Sequence, residues 1–174
     1  MKLNPDDFTE LAWQGIIDAK DLALSENHQT LETEHLLYAL LKKNEIAIKA
    51  IKRTSKSIND LTMQVERFIK DQPKMQKAQE SIFFSKNITL SISKANDIKQ
   101  SFKDTFISSE HLVISLFDDE RICHKLFVQN DISKDSLLEA INAIRGGKKV
   151  TEKNADNNYE ALQKFGQDLT AYAR

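Results

Sequence analysis

The sequence TEHLLYALL at residues 33–41 returns as SEHLVISLF at residues 109–117, a shift of 76 positions. Each copy places a hydroxyl residue, a glutamate and a histidine ahead of an apolar run, an order that predicts a capped and largely buried helix. The same shift relates further positions: Phe8 with Phe84, Ile16 with Ile92, Ala19 with Ala95, Leu40 with Leu116, and Leu61 with Leu137. The sequence therefore predicts a tandem duplication.

Each copy contains four segments with helical spacing of apolar residues. In the first copy we expect Thr33 to cap the second helix, Ser57 or Asn59 to cap the fourth, and Pro73 to end it. Two four-helix units are too few for an open solenoid. The prediction is an all-α fold in which the two units pack as one globular, pseudo-two-fold domain over residues 1–146. Repeat 1 covers about 1–73 and repeat 2 about 80–146.

The end of the sequence has a different character. Residues 147–158 carry no large apolar side chain apart from Val150, and they are predicted to form a flexible linker. From residue 159 to residue 174, apolar residues recur at steps of three and four, which predicts an amphipathic linker helix that leads into a further domain. Its apolar residues are Tyr159, Leu162, Phe165, Leu169 and Tyr172.

Composition excludes several classes of function. The 25 basic and 26 acidic residues leave a net charge of −1, so nucleic acid and anionic membranes are not expected partners. The single cysteine fits a reducing compartment, and no run of 18 apolar residues occurs. The start of the sequence lacks the apolar run of a signal peptide. These features together predict a cytoplasmic protein.

Candidate catalytic and metal-binding residues are few. His35 and His111 are repeat equivalents without a second ligand at i+3 or i+4, which favours a shared structural role over metal binding. Cys123 is expected to be a small buried side chain, although a hydrolase that uses it with a histidine stays open as an alternative. The stretch after Arg145 lacks the first glycine and the hydroxyl residue of a phosphate loop. We therefore predict no catalytic or metal site and no cofactor in this chain.

The sequence gives less specific signals for residues of a binding surface. Trp13 and Phe102 lie on or beside the first helix of each repeat, where they either form a shallow apolar site or pack between the repeats. Lys42 and Lys43 are predicted to belong to a solvated face.

Several segments together resemble one family. They are Phe8-Thr9-Glu10 with Trp13, residues 31–37, residues 104–112, residues 144–147 and residues 159–170. In order and spacing they are similar to the N-terminal domain of the Clp/Hsp100 AAA+ unfoldases, and among these to the disaggregating ClpB group. The resemblance implies a pseudo-two-fold helical domain followed by a linker and the start of the first ATPase domain.

The resemblance also implies a function. Such a domain captures exposed hydrophobic segments of unfolded or aggregated proteins for threading by a hexameric motor, which would use ATP and magnesium and cooperate with the Hsp70 system. The alternative is an adaptor-docking domain of a protease-partnered unfoldase of the ClpC or ClpA kind. By family correspondence the implied substrate-binding residues are Thr9, Leu11, Ile92, Ile98, Phe102, Asp104 and Glu110.

Overall fold

The computed structural model describes residues 2–54, 57–157 and 159, and its helices fall into two sets of four. The first set is α1 (Glu10–Ser25), α2 (Thr33–Lys43), α3 (Glu45–Thr54) and α4 (Ile58–Asp71). The second is α5 (Lys86–Ser101), α6 (Ser109–Phe117), α7 (Cys123–Gln129) and α8 (Lys134–Arg145). A short parallel pair, β1 (Thr30–Leu31) with β2 (Phe83–Phe84), joins the two sets. The predicted all-α tandem repeat is confirmed, with this strand pair as an addition.

The repeat shift of 76 positions is visible in the helix bounds. Helices α5, α6 and α8 begin 76 residues after α1, α2 and α4, at Lys86, Ser109 and Lys134. Helix α7 begins at Cys123, which is 78 residues after the start of α3. The two repeats therefore differ mainly in the loop that precedes their third helix.

Side chains with hydroxyl groups start most of the helices. The N–H of Ala12 donates to Thr9 Oγ1 at 3.2 Å, and the N–H of Ile88 donates to Ser85 Oγ at 3.1 Å. Ser57 and Ser133 cap α4 and α8 in the same way. Gly146 ends α8 in the left-handed conformation, with φ 59°, which glycine adopts without steric cost.

Both repeats contribute to a single hydrophobic core. Helices α1 and α2 pack together in repeat 1, α5 and α6 pack together in repeat 2, and α3 lies against α8 and α6 across the repeat boundary. The buried residues of this core include Leu40, Ile51, Leu61, Leu116 and Leu137. Packing of this kind makes the repeats mutually dependent for burial of apolar surface.

Two details of helix entry differ from the sequence prediction. The N-cap of α2 is Glu32 rather than Thr33, and the N-cap of α6 is Ser108 rather than Ser109. Thr33 and Ser109 are the first helical residues, and their hydroxyl groups bond to distant carboxylates described below. Pro73 follows the end of α4, as predicted.

The segment after α8 lies on the body of the domain. We name residues 148–157 together with Tyr159 the strap. Val150 and Tyr159 are buried, at 0% and 1% exposure, and Glu10 N–H donates to Lys153 O at 2.7 Å. The polar composition of residues 147–158 did not predict these contacts. The predicted domain limits stay predictions, and the predicted helix over residues 159–174 lies, except for Tyr159, outside the described residues.

No helix within the described ranges is both long enough and apolar enough to cross a membrane.

Candidate functional site

The histidines at the third position of α2 and α6 hold the helix entries. Glu32 N–H donates to His35 Nδ1 at 2.9 Å, and Ser108 N–H donates to His111 Nδ1 at 2.9 Å. Because Nδ1 accepts a hydrogen bond in both rings, Nε2 carries the proton. This arrangement confirms the structural role that the repeat equivalence predicted for the two histidines.

The partner of Nε2 differs between the repeats. His35 Nε2 lies 2.8 Å from His28 Nδ1, and His111 Nε2 lies 2.8 Å from Asp104 Oδ2. Positions 28 and 104 are equivalent under the repeat shift. Repeat 1 therefore has a histidine pair where repeat 2 has a histidine–carboxylate pair.

These two pairs have opposite electrostatic properties. Burial lowers the pKa of His35 to about 3 and also lowers the pKa of His28, so that neutral rings are favoured. Burial acts to raise the pKa of Asp104, but hydrogen bonds from His111, Arg145 and the Val150 N–H outweigh it and hold this pKa below its usual value. Asp104 is therefore ionised inside the domain.

Arg145 is the main counter-charge of Asp104. Its Nη1 and Nη2 atoms donate to Asp104 Oδ2 and Oδ1 at 2.8 and 2.7 Å. Arg145 also lies over the Phe102 ring, 5.3 Å from its centroid. Such a two-point contact fixes the end of α8 against the loop that carries Asp104.

The two glutamates next to the histidines are buried and have different partners. Arg121 donates from Nε and Nη2 to Glu34 Oε1 and Oε2 at 2.9 and 3.0 Å. Tyr159 OH donates to Glu110 Oε1 at 2.9 Å, and Arg145 Nη1 lies 3.6 Å from the same oxygen. Burial and the neighbouring Glu110 carboxylate raise the pKa of Tyr159, which keeps the phenol protonated as a donor.

The first residues of α2 and α6 each bind an aspartate from another part of the chain. Thr33 Oγ1 donates to Asp119 Oδ2 at 2.8 Å, and Ser109 Oγ donates to Asp156 Oδ2 at 2.7 Å. Thr9 Oγ1 also donates to Asp156 Oδ2, at 2.8 Å. Asp156 therefore connects the N-cap residue of α1 with the first residue of α6.

The predicted polar site residues, Thr9, Asp104 and Glu110, are all buried, and the structure brings them to the same face of the domain. Each contacts the strap: Thr9 through Asp156, Asp104 through the Val150 N–H at 2.9 Å, and Glu110 through Tyr159. In this arrangement none of the three offers a polar group to solvent.

The predicted apolar residues do not share one groove. Ile92 is 3% exposed and belongs to the core, so it offers almost no surface to a ligand in this arrangement. Ile98 is partly buried against the core. Leu11 borders a cleft beside α2, whereas Phe102 borders a separate cleft of about 260 Å³ next to Gly147. Trp13 packs on Phe8, with ring centroids 5.4 Å apart.

An apolar groove runs between α1 and α2. It consists of two adjoining depressions of about 300 and 220 Å³ that share Asp18, Ala39 and Lys43. The other lining residues are Leu11, Gln14, Gly15, Asp21, Leu22, Ser25, Tyr38, Lys42 and Asn44. Acidic residues of α1 form one wall and lysines of α2 form the other. We name this feature the α1–α2 groove.

Gly15 sets the depth of the α1–α2 groove. A Cβ atom at this position would lie 2.9 Å from Leu40 Cδ2, which is closer than van der Waals contact allows. Glycine therefore lets α1 approach α2 closely. The equivalent residue in repeat 2 is Ser91.

The remaining chemical candidates have structural explanations. Cys123 is fully buried, and burial raises the pKa of its thiol well above the usual value, which disfavours the nucleophilic thiolate. Among the described residues, no group of three or more His, Cys, Asp or Glu side chains is arranged to hold a metal ion.

Sequence reasoning missed Arg121, Arg145, Asp119 and Asp156 as partners in these sites. Each lies between 41 and 147 residues from the side chain that it binds. No local pattern marks such pairs, and the position of Arg145 in the last turn of α8 indicates only a favourable helix end.

Comparison with known proteins identifies the family. The model described as "Clp repeat (R) N-terminal domain" matches residues 7–130. The chain belongs to this family. This Clp N-domain is 42% identical over 174 residues to "Chaperone protein ClpB" of Prochlorococcus marinus, covering 100% of the chain and 20% of that protein. It is 37% identical over 174 residues to "Chaperone protein ClpB3, chloroplastic" of Arabidopsis thaliana, covering 99% of the chain and 18% of that protein.

A solved structure agrees with the sequence relatives. The crystal structure of the Hsp104 N-terminal domain from Candida albicans superposes with a TM-score of 0.78 at 25% sequence identity, covering 86% of this chain and 99% of that one. The chain spans about a fifth of the length of the curated ClpB relatives that it matches. The resemblance inferred from the repeat motifs is confirmed.

Proposed function

We propose that this Clp N-domain is the substrate-recognition domain of a ClpB-type, ATP-dependent protein disaggregase. It captures exposed hydrophobic segments of unfolded or aggregated proteins and passes them to the hexameric motor. The names of the ClpB relatives support this function over adaptor docking in a protease-partnered unfoldase.

The α1–α2 groove is the observation that carries the proposal. Its accessible apolar surface comes from Leu11, Leu22 and Tyr38, and its walls carry aspartates on α1 and lysines on α2. An apolar floor binds hydrophobic side chains of many sequences, because burial of apolar area is not directional. Walls of opposite charge accept either sign in the flanking residues of the bound segment.

The size of the α1–α2 groove fits weak capture. Two depressions of about 300 and 220 Å³ hold only a few side chains. The interface of a stable protein complex contains many more residues on each side. Limited area leaves little free energy after the cost of ordering the bound segment. A substrate bound in this way is released readily to a pore.

The other predicted site residues enter the proposal according to their accessibility. Ile98 and Phe102 keep partial exposure and add apolar surface on the second repeat. Thr9, Asp104 and Glu110 are reached by a ligand only when the strap is away from the domain. Ile92 supports the site from within the core.

The longer protein to which this chain corresponds is proposed to bind ATP and magnesium, to assemble as a hexamer in the cytoplasm, and to act with an Hsp70 system. Its ClpB relatives support the ATP-dependent part of this proposal.

The proposal is tested by measuring binding of the 174-residue chain to a permanently unfolded protein and to the same protein in its folded form. Leu11→Asn introduces the residue that repeat 2 has at the equivalent position, Asn87, and should weaken binding to the unfolded form severalfold. Leu90→Gln is the matched control, because Leu90 is 52% exposed on α5 and outside the α1–α2 groove. Equal binding of both forms, or equal loss in both variants, would contradict the proposal.

A further inference from the structure

The strap makes backbone contacts with both repeats. Thr105 N–H donates to Val150 O at 2.6 Å in repeat 2, and Glu10 N–H donates to Lys153 O at 2.7 Å in repeat 1. Arg145 also binds Lys148 O, from Nη2 at 2.7 Å. The strap therefore runs from the end of α8 across the start of α6 to the start of α1.

Three side chains of the strap enter the domain at sites lined by polar groups. Val150 is fully buried beside Asp104, Asp156 binds Thr9 and Ser109, and Tyr159 binds Glu110. Through these contacts the strap binds Thr9, Asp104 and Glu110, the three polar residues for which the family resemblance implies substrate binding. The same three residues thus form one continuous receptor surface for a single segment, which turns over residues 153–157.

Asp156 is placed to interact favourably with two helices. Thr9 is the N-cap of α1, and Ser109 is the first residue of α6, whose backbone N–H also donates to Asp156 Oδ2 at 3.2 Å. The positive ends of both helix dipoles therefore face this carboxylate, which is 1% exposed. Within the part of the chain that the structure describes, no side-chain cation pairs with Asp156, and hydroxyl groups and helix N-termini bind its carboxyl group instead.

The charge balance of the site opposes permanent docking. Asp104, Glu110 and Asp156 bring three carboxylates together with one guanidinium, that of Arg145. Among the described residues, Glu110 Oε2 and Asp156 Oδ1 are buried without a hydrogen-bond partner. Each such oxygen loses hydration when the strap docks and regains it when the strap leaves. The gain from specific contacts is thus partly cancelled by desolvation.

We propose that Thr9, Asp104 and Glu110 form a docking site for this chain's own strap, and that the strap binds and leaves this site as a unit while helices α1–α8 stay folded. The occupant is a turn-containing segment with a small branched apolar residue, an aspartate, and a tyrosine three residues after that aspartate. Docking of the strap requires no ligand in the α1–α2 groove, so loss of docking and loss of substrate binding are separate outcomes.

Repeat 1 provides an internal comparison for this site. Thr33 and Glu34 of repeat 1 are equivalent to Ser109 and Glu110 of repeat 2. Thr33 binds Asp119 of the α6–α7 loop, and Glu34 binds Arg121 of the same loop. That loop lies between two helices of the core and cannot leave without unfolding them. In repeat 2, by contrast, Ser109 and Glu110 are bound by the segment that follows the last helix of the repeat.

The test uses the 174-residue chain and four single variants. Asp156→Ala and the milder Tyr159→Phe weaken the strap side, and Thr9→Val weakens the receptor side. Thr33→Val is the matched control, since it removes an equally short hydroxyl–carboxylate bond, 2.8 Å in both cases, that does not involve the strap. Far-UV circular dichroism establishes that each variant keeps its helices.

Docking is read from amide hydrogen exchange of Thr105, whose N–H bonds to the strap, and from the rate of tryptic cleavage after Lys149 and Lys153. Thr105 lies in repeat 2, so its exchange is not affected by fraying of α1 in Thr9→Val. We expect Asp156→Ala and Thr9→Val to accelerate both rates at least tenfold, which corresponds to about 1.4 kcal/mol. Tyr159→Phe should accelerate them less, and Thr33→Val should leave them unchanged.

A Thr9→Val/Asp156→Ala double variant should exchange and cleave no faster than Asp156→Ala alone, because the aspartate change already removes their shared bond. The proposal is overturned if Thr105 exchanges equally fast in the wild type and in Asp156→Ala, or if Thr33→Val accelerates exchange as much as Thr9→Val does.

Discussion

Acidification from pH 7 to pH 5 should destabilise this domain through His35. The unfolded chain takes up a proton at His35 below a pKa of 6.5, whereas burial holds the pKa of the folded state at about 3. A folded-state pKa below the unfolded value means that protons favour unfolding as the pH falls from 6.5 toward 3. At pH 5, His35 lowers the free energy of unfolding by about 2 kcal/mol, which is roughly a thirtyfold decrease in the folding equilibrium constant.

Three other titratable groups, His28, Glu32 and Asp104, also have shifted pKa values that affect stability on acidification. The lowered pKa of His28 adds to the loss that His35 causes. Burial raises the pKa of Glu32, so protonation of this carboxyl acts in the opposite sense near its folded-state pKa. The lowered pKa of Asp104 gives stability that is lost only below about pH 4, where the unfolded carboxyl titrates, and it does not contribute in this window.

The variant His35→Gln isolates the effect. A glutamine at the third helical position can still accept the backbone N–H of the N-cap residue, so the helix entry keeps its hydrogen bond while the titratable ring is removed. Urea unfolding at pH 7 and pH 5 should show a smaller difference in the free energy of unfolding for this variant, by about 2 kcal/mol. His111→Gln makes the same change in repeat 2 and leaves the contribution of His35 intact.

Two results would refute the reasoning. One is a wild-type free energy of unfolding that is equal at the two pH values. The other is an equal pH dependence in wild type and His35→Gln. Nuclear magnetic resonance of the wild type gives an independent check, since the His35 ring signals should not shift between pH 7 and pH 5.

Two further predictions follow from buried groups. Cys123 should react with a thiol reagent at neutral pH only in denaturant, because its thiol is inaccessible and its pKa is raised; rapid labelling of the native chain, followed by absorbance, would contradict this. Arg121→Met should lower the free energy of unfolding by about 3–5 kcal/mol, because it leaves the buried Glu34 carboxylate without its partner. Lys134→Gln, which breaks the exposed pair with Asp118, is the control and should cost less than about 1 kcal/mol in urea unfolding.

The helices were predictable because their signals are local. The spacing of Leu61, Val65 and Ile69 predicts α4, and the copy 76 residues later predicts α8. The strand pair was not predictable, because β1 and β2 are only two residues long and their pairing partner is 53 residues away. Periodicity needs more positions than that to distinguish a strand from a loop.

The error at the helix caps has a physical reason. A hydroxyl residue before an apolar helix usually caps it, which favoured Thr33 and Ser109. Here the ring of His35 or His111 already accepts the N-cap backbone N–H, so the hydroxyl groups are free to bind Asp119 and Asp156. Those aspartates lie 86 and 47 residues away, and nothing in the neighbouring sequence indicates them.

The candidate site was predictable in part. Family correspondence marked Thr9, Asp104 and Glu110, and the structure does bring them together. Their burial could not be anticipated, because most of the residues that cover them lie in a polar segment whose one large apolar side chain is Val150. The α1–α2 groove was indicated only by Leu11, since its depth depends on the close approach of two helices at Gly15.

The route of the strap decides how the domain bears mechanical load. A pull on the chain beyond Tyr159 acts first on the bond to Glu110, then on Asp156, and then on the Lys153 and Val150 backbone contacts. Under such a pull these contacts break in sequence from the Tyr159 end of the strap, before any force reaches α8. Residues 148–159 would then reach an extended length of up to about 40 Å, at roughly 3.3–3.6 Å for each residue. Release of the strap would thus lengthen the chain that follows α8 while the hydrophobic core stays intact.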